Sequence, residues 1–352
     1  MTPARGATLS RRDAIVAAAS AAVACGGPSA PPARERPRPT TTLKLDPLVD
    51  LVPAAGLSWL VQARPRELTS NPVLAPAIDA VVPEEGFVRF ALHHGGIDLR
   101  QMSELVVAGF PETTLALAKV PVSEGEISAW FAARAATVEG RAAEGDVTRY
   151  WGSASGGREQ VAVLGGQGVA LEHGHLGPLR AALYFAEGKL KRALPALHAE
   201  PLARAAALLD ADGAAPVRGF RPGPFEGEWS AGLGGLLRVT TAAAAAARPR
   251  EWPSLRQDDA GAASRGALWV TLVLMGSWGA QAQAAADRLG AAFRVLADDP
   301  MGRLLGLDHP LEGPRVSGDS ESVRLDVTVD ALALGRGIHA ATGATMAEIL
   351  AY

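Results

Sequence analysis

Cysteine is almost absent from this chain of 352 residues, where Cys25 is the only one. A lone thiol near the N-terminus excludes a disulfide framework, a thiol nucleophile in the body, and zinc or iron–sulfur sites built on cysteine. Aromatics are scarce at 5%. Lysine is confined to Lys44, Lys119, Lys189 and Lys191. With no basic run interleaved with aromatics, nucleic acid is not expected as a partner. Also missing are a Gly-x-Ser-x-Gly elbow, a Ser-x-x-Lys pair, a Walker loop and a dinucleotide fingerprint after a strand. No cofactor is therefore expected, and no catalytic residue is assigned. The Gly-rich stretches 152–157 and 232–235 read as turns.

What is present begins at the N-terminus. Ser10-Arg11-Arg12-Asp13 leads into an apolar run of eleven residues, Ala14 to Ala24, which ends at Cys25. The run is too short for a permanent spanning helix, which needs ~20 apolar residues. A cationic start, a short apolar core and a small-residue end are the layout of an export signal. Leu9-Ser10-Arg11-Arg12-Asp13-Ala14-Ile15 resembles a twin-arginine signal. Ala22-Val23-Ala24-Cys25 resembles the lipobox of bacterial lipoproteins. That resemblance implies that residues 1–24 are removed and that Cys25 becomes an acylated N-terminus anchoring the protein to a membrane. Gly26 stands where an aspartate would mark inner-membrane retention. The expected location is therefore the cell envelope, at the outer membrane facing the periplasm or the surface.

Residues 25–43 contain almost nothing to bury and read as a disordered, Pro-rich tether. Residues 44–352 carry 28 Lys and Arg against 35 Asp and Glu, a net charge of −7. This body is long enough for a sizeable core. Its apolar runs alternate with helical patterns, and the expected fold is α+β. Two related subdomains are expected, 44–247 and 266–352, joined by a polar linker at 248–265. Each would have a mainly antiparallel sheet with helices packed on one face. The relationship rests on a strand–helix–helix–strand–helix order at residues 57–135 and again at 267–341.

Several local readings are specific. Residues 105–108 and 114–120 form a hairpin, as do 160–164 and 168–172 around Gly165-Gly166. Ser123 and Glu126 are spaced as a capping box for a helix reaching Ala135. The alanine run closing Leu236–Ala247 reads as a helix, and residues 220–229 as an irregular loop.

The candidate metal ligands form two groups, His93, His94 and Asp98, and Glu172, His173 and His175. On a strand, residues two apart share a face, so His173 and His175 would project together. Imidazoles at that spacing suit zinc or copper. Against this, Gly174 and Pro178 point to a turn. Of the tryptophans, Trp229 and Trp252 lie in loop-like sequence. With Phe220 and Phe225 they either line a groove or staple a loop to the body. The overall style is similar to predicted lipoproteins of GC-rich Gram-negative bacteria of the myxobacterial type, a resemblance that brings no activity with it. The leading expectation is a tethered, non-enzymatic domain that binds an envelope protein or ligand. The competing one is an envelope hydrolase or metal protein using the two histidine groups.

The leader makes a direct prediction. Arg11→Lys with Arg12→Lys should abolish export, leaving precursor in the cytoplasmic fraction. Undiminished delivery of that double variant to the membrane would exclude the twin-arginine route.

Overall fold

Side chains that alternate between two packed faces build the body. The structure is a computed structural model, and it describes residues 43–154, 157–175, 177–190, 193–253 and 265–342. Arg11, Arg12 and Cys25 lie outside the described residues. In chain order the first half comprises β1 (Trp59–Ala63), α1 (Pro65–Thr69), α2 (Ala75–Val81), α3 (Glu84–His93), β2 (Glu104–Phe110) and β3 (Thr113–Lys119). It continues with α4 (Glu124–Arg134), β4 (Thr137–Glu144), β5 (Val147–Ala154), β6 (Gly157–Leu164), β7 (Gly168–Gly174) and α5 (Pro178–Ala186). The second half comprises α6 (Leu202–Asp210), β8 (Val217–Pro222), β9 (Thr240–Trp252), β10 (Arg265–Gly276) and α7 (Ala282–Asp298). It closes with α8 (Pro300–Leu304), β11 (Glu312–Gly318), β12 (Ser322–Asp330) and α9 (Ala331–Thr342). No helix among the described residues is long and apolar enough to cross a membrane.

The chain is an α+β protein with one 12-stranded sheet, ordered β11-β12-β10-β9-β8-β1-β2-β3-β7-β6-β5-β4. Each of its strand pairings is antiparallel. Each half lays down three neighbouring strands, then a long helix, then a meander whose last strand returns beside the third. The halves meet where β1 pairs with β8, with Leu60 opposite Phe220 and Ala63 opposite Val217.

Helices pack on both faces of this sheet, where one face was expected. On the back face α5, α6 and the turn at Leu48–Leu51 cover Leu60, Val106, Leu115, Leu117, Phe220, Ala244 and Val273. On the front face Phe90 of α3 and Ile127 and Phe131 of α4 cover Val161, Val163 and Val169. At the opposite flank of the front, α7 and the 3-10 segment Leu233–Val239 cover Leu274, Val323, Leu325 and Val327. The physical reason is that the strands are apolar on both sides. Val161, Ala162, Val163 and Leu164 are all buried, which one helical layer cannot achieve.

The alanine run is the clearest departure from the sequence reading. Thr240–Trp252 is a strand, not the end of a helix. Alanine favours helix, but by well under 1 kcal/mol per residue against most residues, and packing overrides that. Ala242, Ala244 and Ala246 are buried on the back face beneath α6, where a larger side chain would have no room. The two ends of the expected linker are part of the sheet, and residues 254–264 between them lie outside the described residues. Arg248–Trp252 continue β9, and Arg265 and Gly266 pair with Trp252 and Glu251. A boundary there would cut a hairpin. Residues 220–222, read as loop, belong to β8. Ser123 is the N-cap of α4, yet its side chain makes no capping hydrogen bond. Both expected hairpins form, β2 with β3 and β6 with β7.

Polar side chains on the back face lock α6 in place. Arg248 donates to the carbonyls of Leu209 and Gly213, closing the C-terminal end of that helix. Arg324 sits between Asp212 at 2.8 Å and Asp326 at 2.6 Å. Arg218 reaches Asp210 at 2.6 Å and donates to Gln62 Oε1 at 3.0 Å. Gln62 donates in turn to buried Glu104 at 2.6 Å, and Glu104 accepts from the Leu48 amide at 2.9 Å.

The alternation in β9 yields a paired prediction. Ala244→Leu should overpack the interface with α6 and cost ~1–3 kcal/mol. Ala245→Leu, on the half-exposed front, should change stability by less than ~0.5 kcal/mol. Urea denaturation of both variants reads the difference. Equal destabilisation would contradict the strand.

Candidate functional site

The front face is covered only at its two flanks, and its centre is open. Three cross-strand rows cross that centre, fixed by the register of five strands. The first is Gly109, Trp59, Arg221, Ala243 and Leu274; the second is Val107, Val61, Gly219, Ala245 and Leu272. The third is Leu105, Ala63, Val217, Ala247 and Val270. The paired register of β1 and β8 ends at Leu60 and Phe220, and one further step along both strands sets Trp59 beside Arg221. Trp59 is 37% exposed and Val61 40% exposed. Most of the other residues in the rows are half-buried. Helices α3 and α4 on one side and α7 on the other form the walls. At one end Leu268 of β10 packs beneath α2, with Leu74, Ala77 and Ala331. The result is a trough with an apolar floor running parallel to β1 and β8.

Its other end is aromatic and cationic. The guanidinium of Arg221 stacks on Trp229 with 4.1 Å to the ring centroid, and lies 5.5 Å from the ring of Phe225. Among the described residues no carboxylate is within ion-pair range of Arg221. Trp229 is 58% exposed, whereas Phe220 and Phe225 are buried. The loop is thus held to the body by Phe225, while Phe220 belongs to β8 and Trp229 stays on the surface. Trp59 lies against Gly109, where an added Cβ would fall 2.1 Å from the indole Nε1. Only glycine in β2 admits that ring.

The histidine groups do not assemble. Among the described residues no three of His, Cys, Asp and Glu are placed to hold a metal ion. Each member has other work. His93 closes α3. His94 stacks on Phe90 at 4.1 Å, and its Nδ1 lies 2.9 Å from the Phe90 carbonyl. Burial lowers the His94 pKa, favouring the neutral ring. Asp98 is gripped by Arg100, Nε to Oδ1 at 3.1 Å. Burial opposes its charge, but the Arg100 hydrogen bonds outweigh it and hold the carboxyl below its usual range. Strand alternation in β7 puts Glu172 on the back face and His173 on the front. His175 lies beyond the strand, because Gly174 turns the chain at φ 108°. There it meets Glu112 at 3.0 Å on the surface. His173 and His175 therefore do not project together from one strand face.

No protein-family model, no curated protein and no solved structure matches this chain. The trough was not foreseen from the sequence, and one signal for it existed. Leu57–Ala63 is apolar at nearly every position, so both of its faces call for cover. The fold covers only one.

Glu172 has a role of its own. It is 1% exposed, and its Oε1 accepts from the amides of Gly177 at 3.0 Å and Leu179 at 2.8 Å, anchoring the start of α5. Its Oε2 has no hydrogen-bond partner. Burial pushes its pKa up, and the two amides only partly offset that. The folded protein thus holds this proton more tightly than the unfolded chain does. The stabilisation is full below the unfolded carboxylate range and is lost as pH rises through the folded value. Glu172→Gln keeps an acceptor for both amides and cannot ionise. Its urea midpoint relative to wild type should rise between pH ~4 and pH ~8, bracketing the range above the ordinary glutamate pKa. A difference that stays flat with pH would show that Glu172 does not titrate in this way.

Proposed function

We propose that this chain is an exported, lipid-anchored protein of the cell envelope whose body binds a ligand or partner without turning it over. The observation that carries the binding half of this reading is the open centre of the front face. Burial of apolar surface is the main driving force of folding, at roughly 25 cal/mol per Å². A sheet that leaves Trp59 and Val61 uncovered between two helical walls forgoes part of that gain. Large uncovered apolar patches commonly mark binding surfaces.

The leader carries the other half. Arg11, Arg12 and the Ala22–Cys25 sequence support export and acylation, and Gly26 supports delivery to the outer membrane. The described chain enters the body on the back face, where the Lys44 amide donates to the Ala186 carbonyl at 2.9 Å. We further read the two halves of the sheet as related by duplication. What supports this is the matching order of three strands, a helix and a returning meander in each half. On this reading β1 corresponds to β8 and not to β10, so the repeat falls at different residues from those the sequence pattern picked out.

Cys25→Ala tests the anchor. The variant should lose radiolabelled fatty acid and move from the membrane to the soluble fraction, with the thermal melting of its body unchanged. Acylation or membrane retention equal to wild type would overturn the lipid-anchor reading.

A further inference from the structure

The trough can be assigned an occupant by asking what its floor satisfies. Its four central strands, β2, β1, β8 and β9, are each paired on both sides. Their backbone amides and carbonyls are committed to the sheet, and there is no edge for a peptide to add to as a strand. An extended peptide laid on this floor would face its own polar backbone with alanine, valine and tryptophan, leaving those groups unpaired. A hydrocarbon chain has no such groups. A second copy of this protein is also a poor fit. Two walled troughs turned face to face would meet at their helices and leave the floors apart.

The charge pattern selects the head of that chain. The three rows contain one charged side chain, Arg221, and no carboxylate. Other arginines packed on the sheet are spent on the fold, and buried Arg248 is held by the carbonyls of Leu209 and Gly213. Arg324 has Asp212 and Asp326, Arg134 has Glu159 at 3.0 Å, and Arg218 has Asp210. Arg221 instead has two aromatic faces, which hold a guanidinium in place without cancelling its charge. Guanidinium pairs well with phosphate oxygens through its planar fork of donors. Trp229, 58% exposed, has the apolar body and polar N–H that suit the junction of a greasy chain and a wet head, and Trp59 adds an apolar face beside it.

Resting on the reading of the body as a binding domain, we propose that the trough holds one acyl lipid with an anionic phosphate head. The chain lies over Val61, Ala63, Ala245 and Ala247. The head sits at Arg221, flanked by Trp59 and Trp229. From Trp59 to Ala63 the floor extends ~14 Å along β1 at the usual strand rise, so the trough takes a single chain lengthwise and not a patch of membrane.

Isothermal titration of the full chain carrying Cys25→Ala tests this, with dodecyl phosphate below its micelle concentration as the probe. One molecule should bind per chain. Inorganic phosphate should not bind measurably, and neutral dodecyl maltoside should bind at least tenfold more weakly. Arg221→Gln should weaken dodecyl phosphate about tenfold, the low end of what losing a hydrogen bond to a charged group costs, and leave dodecyl maltoside unchanged. Val61→Asp, at an exposed position, should weaken both, with circular dichroism and melting as wild type. Trp59→Ala is the second floor variant, should Val61→Asp alter the fold. The assignment is overturned if dodecyl phosphate fails to bind or if Arg221→Gln binds it as tightly as wild type. It is overturned equally if inorganic phosphate binds as well as the amphiphile. An amphipathic helical peptide that binds and is lost in Val61→Asp, with no binding of dodecyl phosphate, would overturn the lipid and keep the binding domain. No binding of either probe, with the trough variants neutral towards envelope extracts, would bring down both.

Discussion

The pairing of β1 with β8 is the interaction on which the architecture depends. Four residue pairs, Leu60 with Phe220 through Ala63 with Val217, turn two meanders into one sheet. Both faces of that ladder carry further consequences. On the back, Gln62 and Arg218 stand opposite each other and tie Asp210 of α6 to Glu104 of β2 through a chain of hydrogen bonds. Buried polar groups of this kind cost stability unless every member is paired, so the network fixes where α6 must sit. On the front, the same ladder sets Trp59 beside Arg221 and joins the floors of the two halves. Without β1–β8 there would be two small sheets, each with an unprotected edge strand, and no trough.

Covering both flanks while leaving the centre open follows from where the long helices fall. α4 follows β3 and α7 follows β10, the third strand of each half, and each packs over the meander that comes after it. The first two strands of each half, β1 and β2 or β8 and β9, are covered on the front only at their margins, where Leu105 meets the α3–α4 cluster and Ala243 the α7 cluster. Because β1 and β8 adjoin, these strands lie together at the middle. The open floor is therefore a product of topology as much as of side chains. Small residues then keep it smooth. Gly109 and Gly219 and the alanines of β9 leave space that Trp59 and Val61 partly fill.

Much of the fold was legible in the sequence, for identifiable reasons. The hairpins β2–β3 and β6–β7 showed because turn residues separate apolar runs of strand length, and Gly165 and Gly166 do adopt positive φ. Strand β12 showed because Val323, Leu325, Val327 and Val329 alternate with Arg324, Asp326 and Thr328. Strand β9 did not, because alanine carries no period: a run of one small residue looks the same at every spacing. The one-face arrangement failed for a related reason, since a strand apolar on both sides does not say what covers each. For the histidine groups the sequence offered a shared strand face on spacing and a turn at Gly174 against it, and the turn is what forms. A single turn at Gly174 was enough to send His175 away from the face of His173.

The disposition of charge separates the structural residues from the functional ones more sharply than the motifs did. Glu159 is buried with Arg134 across it, Glu104 is held by Gln62 and the Leu48 amide, and Glu172 binds the start of α5. Each of these groups is spent on fixing one element against another, and removing any of them leaves a buried partner unsatisfied. Arg221 differs in kind. Its neighbours are rings, its charge is uncompensated by any described carboxylate, and it lies at the mouth of an apolar floor. On the proposed reading, an anion at that position would supply the ion pair that the described residues do not. The same reasoning would place the apolar part of the proposed ligand on the neighbouring surface, where Val61, Ala63 and the alanines of β9 have nothing to offer a polar group.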